Sequence, residues 1–139
     1  MACEALSLDF AGGWEAGDIS LLRKYATNAL PVAGMITDFI GIKTRPDFLP
    51  WASSLAGSVI SDLPVPDDGL RAETIEYTAF LTSLEAAPCN TFTMAELGAS
   101  YAPWLCLGAV LAKRSGRSTP NLTALEASSY FVGLMRQHL

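Results

Sequence analysis

The sequence predicts an α/β fold in which a strand, a helix, a second strand and a second helix follow a mainly helical N-terminal region. Two short apolar runs, residues 91–97 and 121–125, have the composition of strands. Between them, Pro103 stands where a helix would begin and Gly116 stands just past where it would end. Parallel strands require a crossover connection of this kind. These observations predict a parallel strand pair joined by a helix.

Composition and charge restrict the class of protein. The chain has 139 residues, of which 50% are hydrophobic and 17% are charged, so it can bury a hydrophobic core. The net charge of −5 argues against a nucleic acid or an anionic membrane as partner, because both favour a basic surface. No apolar run is long enough for a membrane span, and the N-terminus lacks a signal-peptide pattern. Cys3, Cys89 and Cys106 follow no metal-ligand spacing, so we expect reduced thiols in a cytoplasmic protein.

The remaining elements are predicted from caps and apolar periodicity. Asp18 is placed to cap a helix that Pro31 would end, and residues 34–44 alternate enough to predict a strand or an extended arm. Glu73 and Glu76 lie near the start of the most apolar helix, where negative charge suits the helix dipole. The predicted helices outside the strand pair are residues 18–29, 50–55, 70–87 and 130–139, the last capped by Ser128 or Ser129.

The turn after the first strand of the pair is a candidate ligand site. A turn with Gly98 ahead of a helix N-terminus lets a ligand approach the backbone and presents unpaired N–H groups to it. A phosphate-binding loop would need a Gly-Lys-Ser/Thr ending, which the chain lacks here. A dinucleotide site would need glycines at positions 98, 100 and 103 and an acidic residue about 20 positions on. Only Gly98 matches, and Glu126 follows it by 28 residues.

A third ligand class fits the pattern better. The run Glu96-Leu97-Gly98-Ala99-Ser100-Tyr101-Ala102, with Glu126 after the next strand, resembles motifs I and II of S-adenosylmethionine-dependent methyltransferases. Four ordered blocks resemble the N-terminal part of FkbM-type methyltransferases: residues 37–44, 63–87, 92–105 and 122–139. The resemblance covers roughly residues 34–139. It implies a partial Rossmann-like methyltransferase fold, with an N-terminal region over 1–66 and the start of the cofactor-binding α/β domain over 67–139.

The resemblance also implies roles for particular residues. Glu96 would lie near the methionine part of S-adenosylmethionine, Gly98, Ala99 and Ser100 would form the turn beneath it, and Tyr101 would shape the entrance together with Trp104. Glu126 would accept hydrogen bonds from both ribose hydroxyls, which suits a carboxylate with its two oxygens. The implied reaction is methylation of a hydroxyl on a small molecule or sugar. The chain resembles only the front part of such an enzyme, so we expect it to be inactive alone, and no catalytic base is identified.

Two features of the sequence favour a non-catalytic alternative. The family pattern usually has glycines where this chain has Ser100 and Ala102. Ser100 adds a Cβ at a position where positive φ is expected, and Ala102 narrows the room for the cofactor. A non-catalytic α/β interaction module, or a degenerate methyltransferase remnant, therefore stays open. Glu96 could simply be a capping or ion-paired carboxylate at a strand end, Gly98 could serve close packing, and His138 is expected to face solvent. An uncovered apolar strand edge would also allow self-association.

Overall fold

The computed structural model describes residues 15–65, 73–88, 91–117 and 119–139. Over these ranges the chain is an α/β protein with two small sheets. Contacts divide it into two compact units, Met1–Glu85 and Ala86–Leu139. Cys3, Cys89 and the beginning of the predicted helix 70–87 lie outside the described residues. No helix in the described part combines the length and the apolar character that crossing a bilayer requires.

The N-terminal unit is built on a mixed three-stranded sheet. The central strand β1 pairs antiparallel with β2 and parallel with β3, so the strand order is β2-β1-β3. Short 3₁₀ turns at Pro46–Phe48 and Ser53–Leu55 lie between β2 and β3. The remaining elements are α1 (Asp18–Tyr25), β1 (Ile36–Asp38), β2 (Lys43–Thr44), β3 (Val59–Ile60) and α2 (Thr74–Ala86).

The segment predicted as one strand or extended arm, residues 34–44, is a tight hairpin instead. The Asp38 carboxylate accepts the N–H groups of Ile40 at 3.0 Å and Ile42 at 2.8 Å. Gly41 has φ 89, a left-handed value that glycine adopts without steric cost. Asp38 is only 5% exposed, and its side chain satisfies backbone donors that the reversal leaves without sheet partners. The prediction of one strand or extended arm over residues 34–44 was wrong, because the chain reverses after Asp38 and pairs antiparallel with itself.

The first helix is shorter than predicted. It begins at Asp18, after Gly17, so Asp18 is the first helical residue rather than the cap. It ends at Tyr25, and Ala26 is already extended with ψ 146. The N–H of Thr27 donates to Phe39 O at 2.8 Å, a tertiary bond that replaces a further helical turn.

Helix α2 belongs to the N-terminal unit, whereas the sequence suggested a division after residue 66. Thr74 Oγ1 donates to Val65 O at 2.8 Å, and the Tyr77 ring contacts the edge of Phe39 at a centroid distance of 5.2 Å. At the other end, Glu85 accepts from Lys24 Nζ at 2.5 Å. The fully buried side chains of this unit include Leu22, Ile36, Phe39, Ile40, Leu81 and Leu84. These contacts group the helix with the residues before it.

The C-terminal unit has the predicted order of strand, helix, strand and helix. Strands β4 and β5 are parallel, with Thr93 opposite Asn121 and Leu97 opposite Leu125. Residues at alternate positions of both strands are exposed, so one face of this sheet faces solvent. Its elements are β4 (Thr93–Leu97), α3 (Pro103–Arg114), β5 (Asn121–Leu125) and α4 (Ser129–His138).

Helix α3 approaches β4 closely at a glycine. A Cβ on Gly108 would lie 2.8 Å from Met94 Sδ and 3.2 Å from Phe92 Cε1. These distances are shorter than an ordinary contact between heavy atoms, so only glycine fits here without displacement. A small core lies at the N-terminal end of this helix, where Met94, Leu122, Ala124 and Met135 pack against the buried residues Ala99, Ala102 and Leu105.

A buried arginine makes hydrogen bonds to the first residues of this unit. Arg117 is 8% exposed and donates from Nε to Pro88 O at 3.1 Å and from Nη2 to Ala87 O at 2.9 Å. Its Nη1 donates to Ser115 Oγ at 2.7 Å. Because the guanidinium presents several donors in a fixed plane, it can satisfy carbonyl groups at chain turns that have no hydrogen-bond partner within a helix or a sheet.

Candidate functional site

The candidate site is the turn between the carboxyl end of β4 and the N-terminus of α3. Every second residue of this turn has left-handed backbone geometry: φ is 66 at Gly98, 51 at Ser100 and 59 at Ala102. Ala99 donates its N–H to Leu125 O at 3.0 Å, and Ala102 donates to Ala99 O at 2.6 Å. The turn is therefore joined to the end of β5 and folded back upon itself before Pro103 begins α3.

Glycine at position 98 is explained by its backbone conformation and not by contacts with neighbouring atoms. A Cβ at this position would meet no atom within 4 Å, so close packing does not require glycine there. The positive φ of Gly98 favours glycine, because left-handed geometry costs an L-residue with a side chain about 1–2 kcal/mol. Ser100 and Ala102 both carry this cost, and the φ of 51 at Ser100 confirms the expectation of a Cβ at positive φ there.

Glu96, near the end of β4, points its carboxylate at the N-terminus of α3. Oε1 accepts the N–H of Trp104 at 3.3 Å, and Oε2 accepts the N–H of Leu105 at 2.9 Å. The N-cap residue, Ala102, supplies no side-chain acceptor, so the carboxylate satisfies helix donors that would otherwise lack one. Its negative charge also suits the positive end of the helix dipole. The capping interpretation of Glu96 therefore has direct geometric support, and a cofactor contact stays a prediction.

Glu126, just after β5, bridges the two turns at this edge of the sheet. Its Oε2 accepts the N–H of Ser100 at 2.8 Å, and its Oε1 accepts the N–H of Ser128 at 2.8 Å. Backbone donors, Ser128 first, then Ser100 and Ala127, lower the pKa of Glu126 from its ordinary value of 4.5. The carboxylate is thus ionised at neutral pH. Ser100 and Ser128 each donate to a different oxygen of this carboxylate.

An open depression of about 650 Å³ lies beside the Glu126 carboxylate. Gly98 and residues 124–127 line it, so it lies at the carboxyl ends of both strands. Leu97 and Leu125, which face each other in the strand pairing, are 76% and 53% exposed at this edge. Ligands of open parallel sheets bind at the carboxyl ends of strands, so this depression is in the expected place.

Tyr101 differs from its predicted role. Its side chain is 4% exposed and its ring centroid lies 5.3 Å from that of His138. The ring therefore does not stand at an open entrance. The Tyr101 carbonyl lies 2.8 Å from His138 Nδ1, and since a carbonyl only accepts, Nδ1 carries the proton. The expectation that His138 faces solvent was wrong, because the last turn of α4 returns to this carbonyl.

The structure brings Gly98, Ser100 and Glu126 together at one edge and places Glu96 at the helix that leaves the same turn. The sequence reasoning missed the contacts of Ser128 and His138. The interval from Glu126 to Ser128 is short enough to suggest a local turn, but nothing in the sequence pointed to the bond between His138 and Tyr101. Among the described residues, no group of three His, Cys, Asp or Glu side chains is placed to hold a metal ion.

Comparisons of the chain with protein-family models, with curated proteins and with solved structures found no match.

Proposed function

We propose that the unit Ala86–Leu139 binds S-adenosylmethionine and corresponds to the cofactor-binding start of a Rossmann-like methyltransferase domain of FkbM type. The observation that carries the proposal is the position of the ionised Glu126 carboxylate beside a depression at the carboxyl ends of two parallel strands. That geometry fits the motif resemblance at Glu96 to Ala102 and at Glu126. The proposed reaction is transfer of the cofactor's methyl group to a hydroxyl of a small molecule or sugar.

The residues present can accommodate the ribose of the cofactor. Each Glu126 oxygen has a lone pair besides the one that accepts from Ser100 or Ser128, and the ribose hydroxyls would share this carboxylate with the backbone donors of Ser100, Ala127 and Ser128. The depression is lined by small residues, Gly98, Ala124 and Ala127, which leave room for a ligand close to the backbone. In this proposal Ala99 and Ser100 form the floor of the turn. The protein's contribution to the chemistry would be alignment of donor and acceptor.

A specific observation favours the non-catalytic alternative, an α/β interaction module. Both acidic residues of the motif already have structural roles, Glu96 as the acceptor for α3 and Glu126 as the bridge between Ser100 and Ser128. A chain that had lost cofactor binding would still require them for its fold. In the described sheet β4 pairs only with β5. In this alternative, two copies of the chain would associate through the other edge of β4.

Calorimetric titration with S-adenosylhomocysteine tests the proposal and separates the two functions. We expect the 139-residue chain to bind this ligand, and Glu126→Gln to weaken the binding by about 1.5–3 kcal/mol, the contribution of hydrogen bonds to a charged group. Asp62→Asn is the matched control, since Asp62 is an exposed acidic residue of the other unit. Circular dichroism of each variant confirms that it is folded. Failure of the folded, unmodified chain to bind would refute cofactor binding and leave the interaction module.

A further inference from the structure

The turn between β4 and α3 has a backbone conformation that its own residues do not favour. Ser100 and Ala102 have φ values of 51 and 59, a left-handed geometry that is unfavourable for residues with a Cβ. Such residues persist only where the surrounding structure determines their conformation. The contacts made with this turn by the rest of the chain therefore decide whether it keeps its shape.

The end of β5 holds the first half of the turn. Leu125 O accepts the N–H of Ala99 at 3.0 Å, and the Glu126 carboxylate accepts the N–H of Ser100 at 2.8 Å. Both bonds lie before Tyr101 in the chain. The second half of the turn is contacted by a different element, helix α4.

Helix α4 contacts the second half of the turn with one face. Met135 packs against the cluster that contains Ala102, and His138, three residues later on the same face, donates from Nδ1 to the Tyr101 carbonyl at 2.8 Å. The rings of His138 and Tyr101 also lie together, with centroids 5.3 Å apart, and Tyr101 is buried. This carbonyl belongs to the peptide that joins Tyr101 to the left-handed residue Ala102. The hydrogen bond from His138 thus fixes the orientation of that peptide.

We infer that His138 is a positioning residue, which holds the peptide after Tyr101 so that the turn keeps the left-handed geometry of the candidate site. The last turn of α4 and the site turn then become ordered together, because each holds the other. The effect on ligand affinity rests on the proposed function, in which Gly98 and Ser100 lie beneath the cofactor. Because coupling between two sites is reciprocal, a ligand on this turn should also protect the last turn of α4.

An isosteric pair of variants separates the hydrogen bond from packing. Asparagine and leucine have nearly the same shape, but only asparagine has an N–H group, at the position that Nδ1 has in histidine. Both variants lose the imidazole ring, so a role in packing alone would affect both equally. We expect His138→Leu to raise the amide exchange rates of Ser100 and Ala102 by about two- to tenfold, the loss of one neutral hydrogen bond, and His138→Asn to restore most of the protection. The amide of Asn121, at the other end of the sheet, is the internal control and should exchange at an unchanged rate.

A second measurement requires no variant. His138 is the single histidine of the chain, so the ring ¹⁵N signals of the unmodified, ¹⁵N-labelled protein are assigned directly. In the neutral ring we expect the proton on Nδ1, since only a protonated Nδ1 can donate to the Tyr101 carbonyl. A proton on Nε2 would overturn the inference even if neither variant folds.

Failure of this inference and failure of the proposed function give different results. Equal exchange rates in the two variants would overturn the inference, whatever the turn binds. Where S-adenosylhomocysteine binds, we expect His138→Leu to weaken its binding by about two- to tenfold and His138→Asn to weaken it less. The Leu139 amide, which donates to Met135 O, should exchange more slowly in that complex.

Equal affinities of the two variants for S-adenosylhomocysteine would refute a role of His138 in the site and leave the proposed function intact. If the folded, unmodified chain does not bind this ligand, the proposed function fails. The exchange rates of Ser100 and Ala102 and the ring signals of His138 then still decide whether His138 holds the turn.

Discussion

Replacement of Gly108 by alanine tests how closely α3 approaches β4. In an exposed helix interior, alanine is more favourable than glycine by about 0.5–1 kcal/mol. At Gly108 the new Cβ would lie 2.8 Å from Met94 Sδ and 3.2 Å from Phe92 Cε1, so both neighbours must move. Overpacking of a core costs about 1–3 kcal/mol. We therefore expect Gly108→Ala to lower the free energy of unfolding by up to about 2 kcal/mol, the overpacking cost less the helix gain.

Gly133 in α4 provides the matched control, because a Cβ there would meet no atom within 4 Å. Gly133→Ala should raise the free energy of unfolding by about 0.5–1 kcal/mol, since only the helix preference acts. The assay is urea unfolding followed by Trp104 fluorescence, in a background where Trp14 and Trp51 are phenylalanine. Adding Met94→Ala should relieve part of the Gly108→Ala penalty, which a double-mutant cycle measures. Equal stabilisation by both glycine replacements would refute the close approach.

Three further predictions concern single residues. Ser100→Gly removes a Cβ from φ 51, so relief of about 1–2 kcal/mol should exceed the added entropy of the unfolded chain, and thermal unfolding should show equal or greater stability. Because the folded state lowers the pKa of Glu126, its contribution to stability is complete above the ordinary pKa of 4.5 and is lost as the pH falls below it. Unfolding of Glu126→Gln should accordingly depend less on pH between neutrality and acid, and an unchanged pH profile would contradict the bridge. Leu81→Ala empties a fully buried position in α2 and should cost about 2–5 kcal/mol in urea unfolding; a loss below about 1 kcal/mol would mean that the site is not packed.

The strand pair and its helix could be predicted because their signals are local. Pro103 and Gly116 mark the ends of α3 through backbone geometry that neighbouring residues do not change, and β5 begins and ends where its apolar run does. The hairpin at Asp38 could not be predicted in the same way. Its alternating side chains are compatible with a strand. The reversal is visible only in the structure, in the antiparallel pairing of β1 with β2 and in the bonds of the Asp38 carboxylate to Ile40 and Ile42.

At the candidate site, too, some features could be predicted from the local sequence and others depend on the tertiary structure. The sequence by itself determined that an acidic residue lies near the end of each strand and that Gly98 opens the turn between β4 and α3. Only the tertiary structure decided which donors those carboxylates accept, because Ser100 and Glu126 are 26 residues apart and become neighbours through the parallel pairing of the strands. It likewise brought His138 to Tyr101 across 37 residues. Local residue preferences fix where strands and helices begin and end, whereas a hydrogen bond between distant residues depends on how those elements pack.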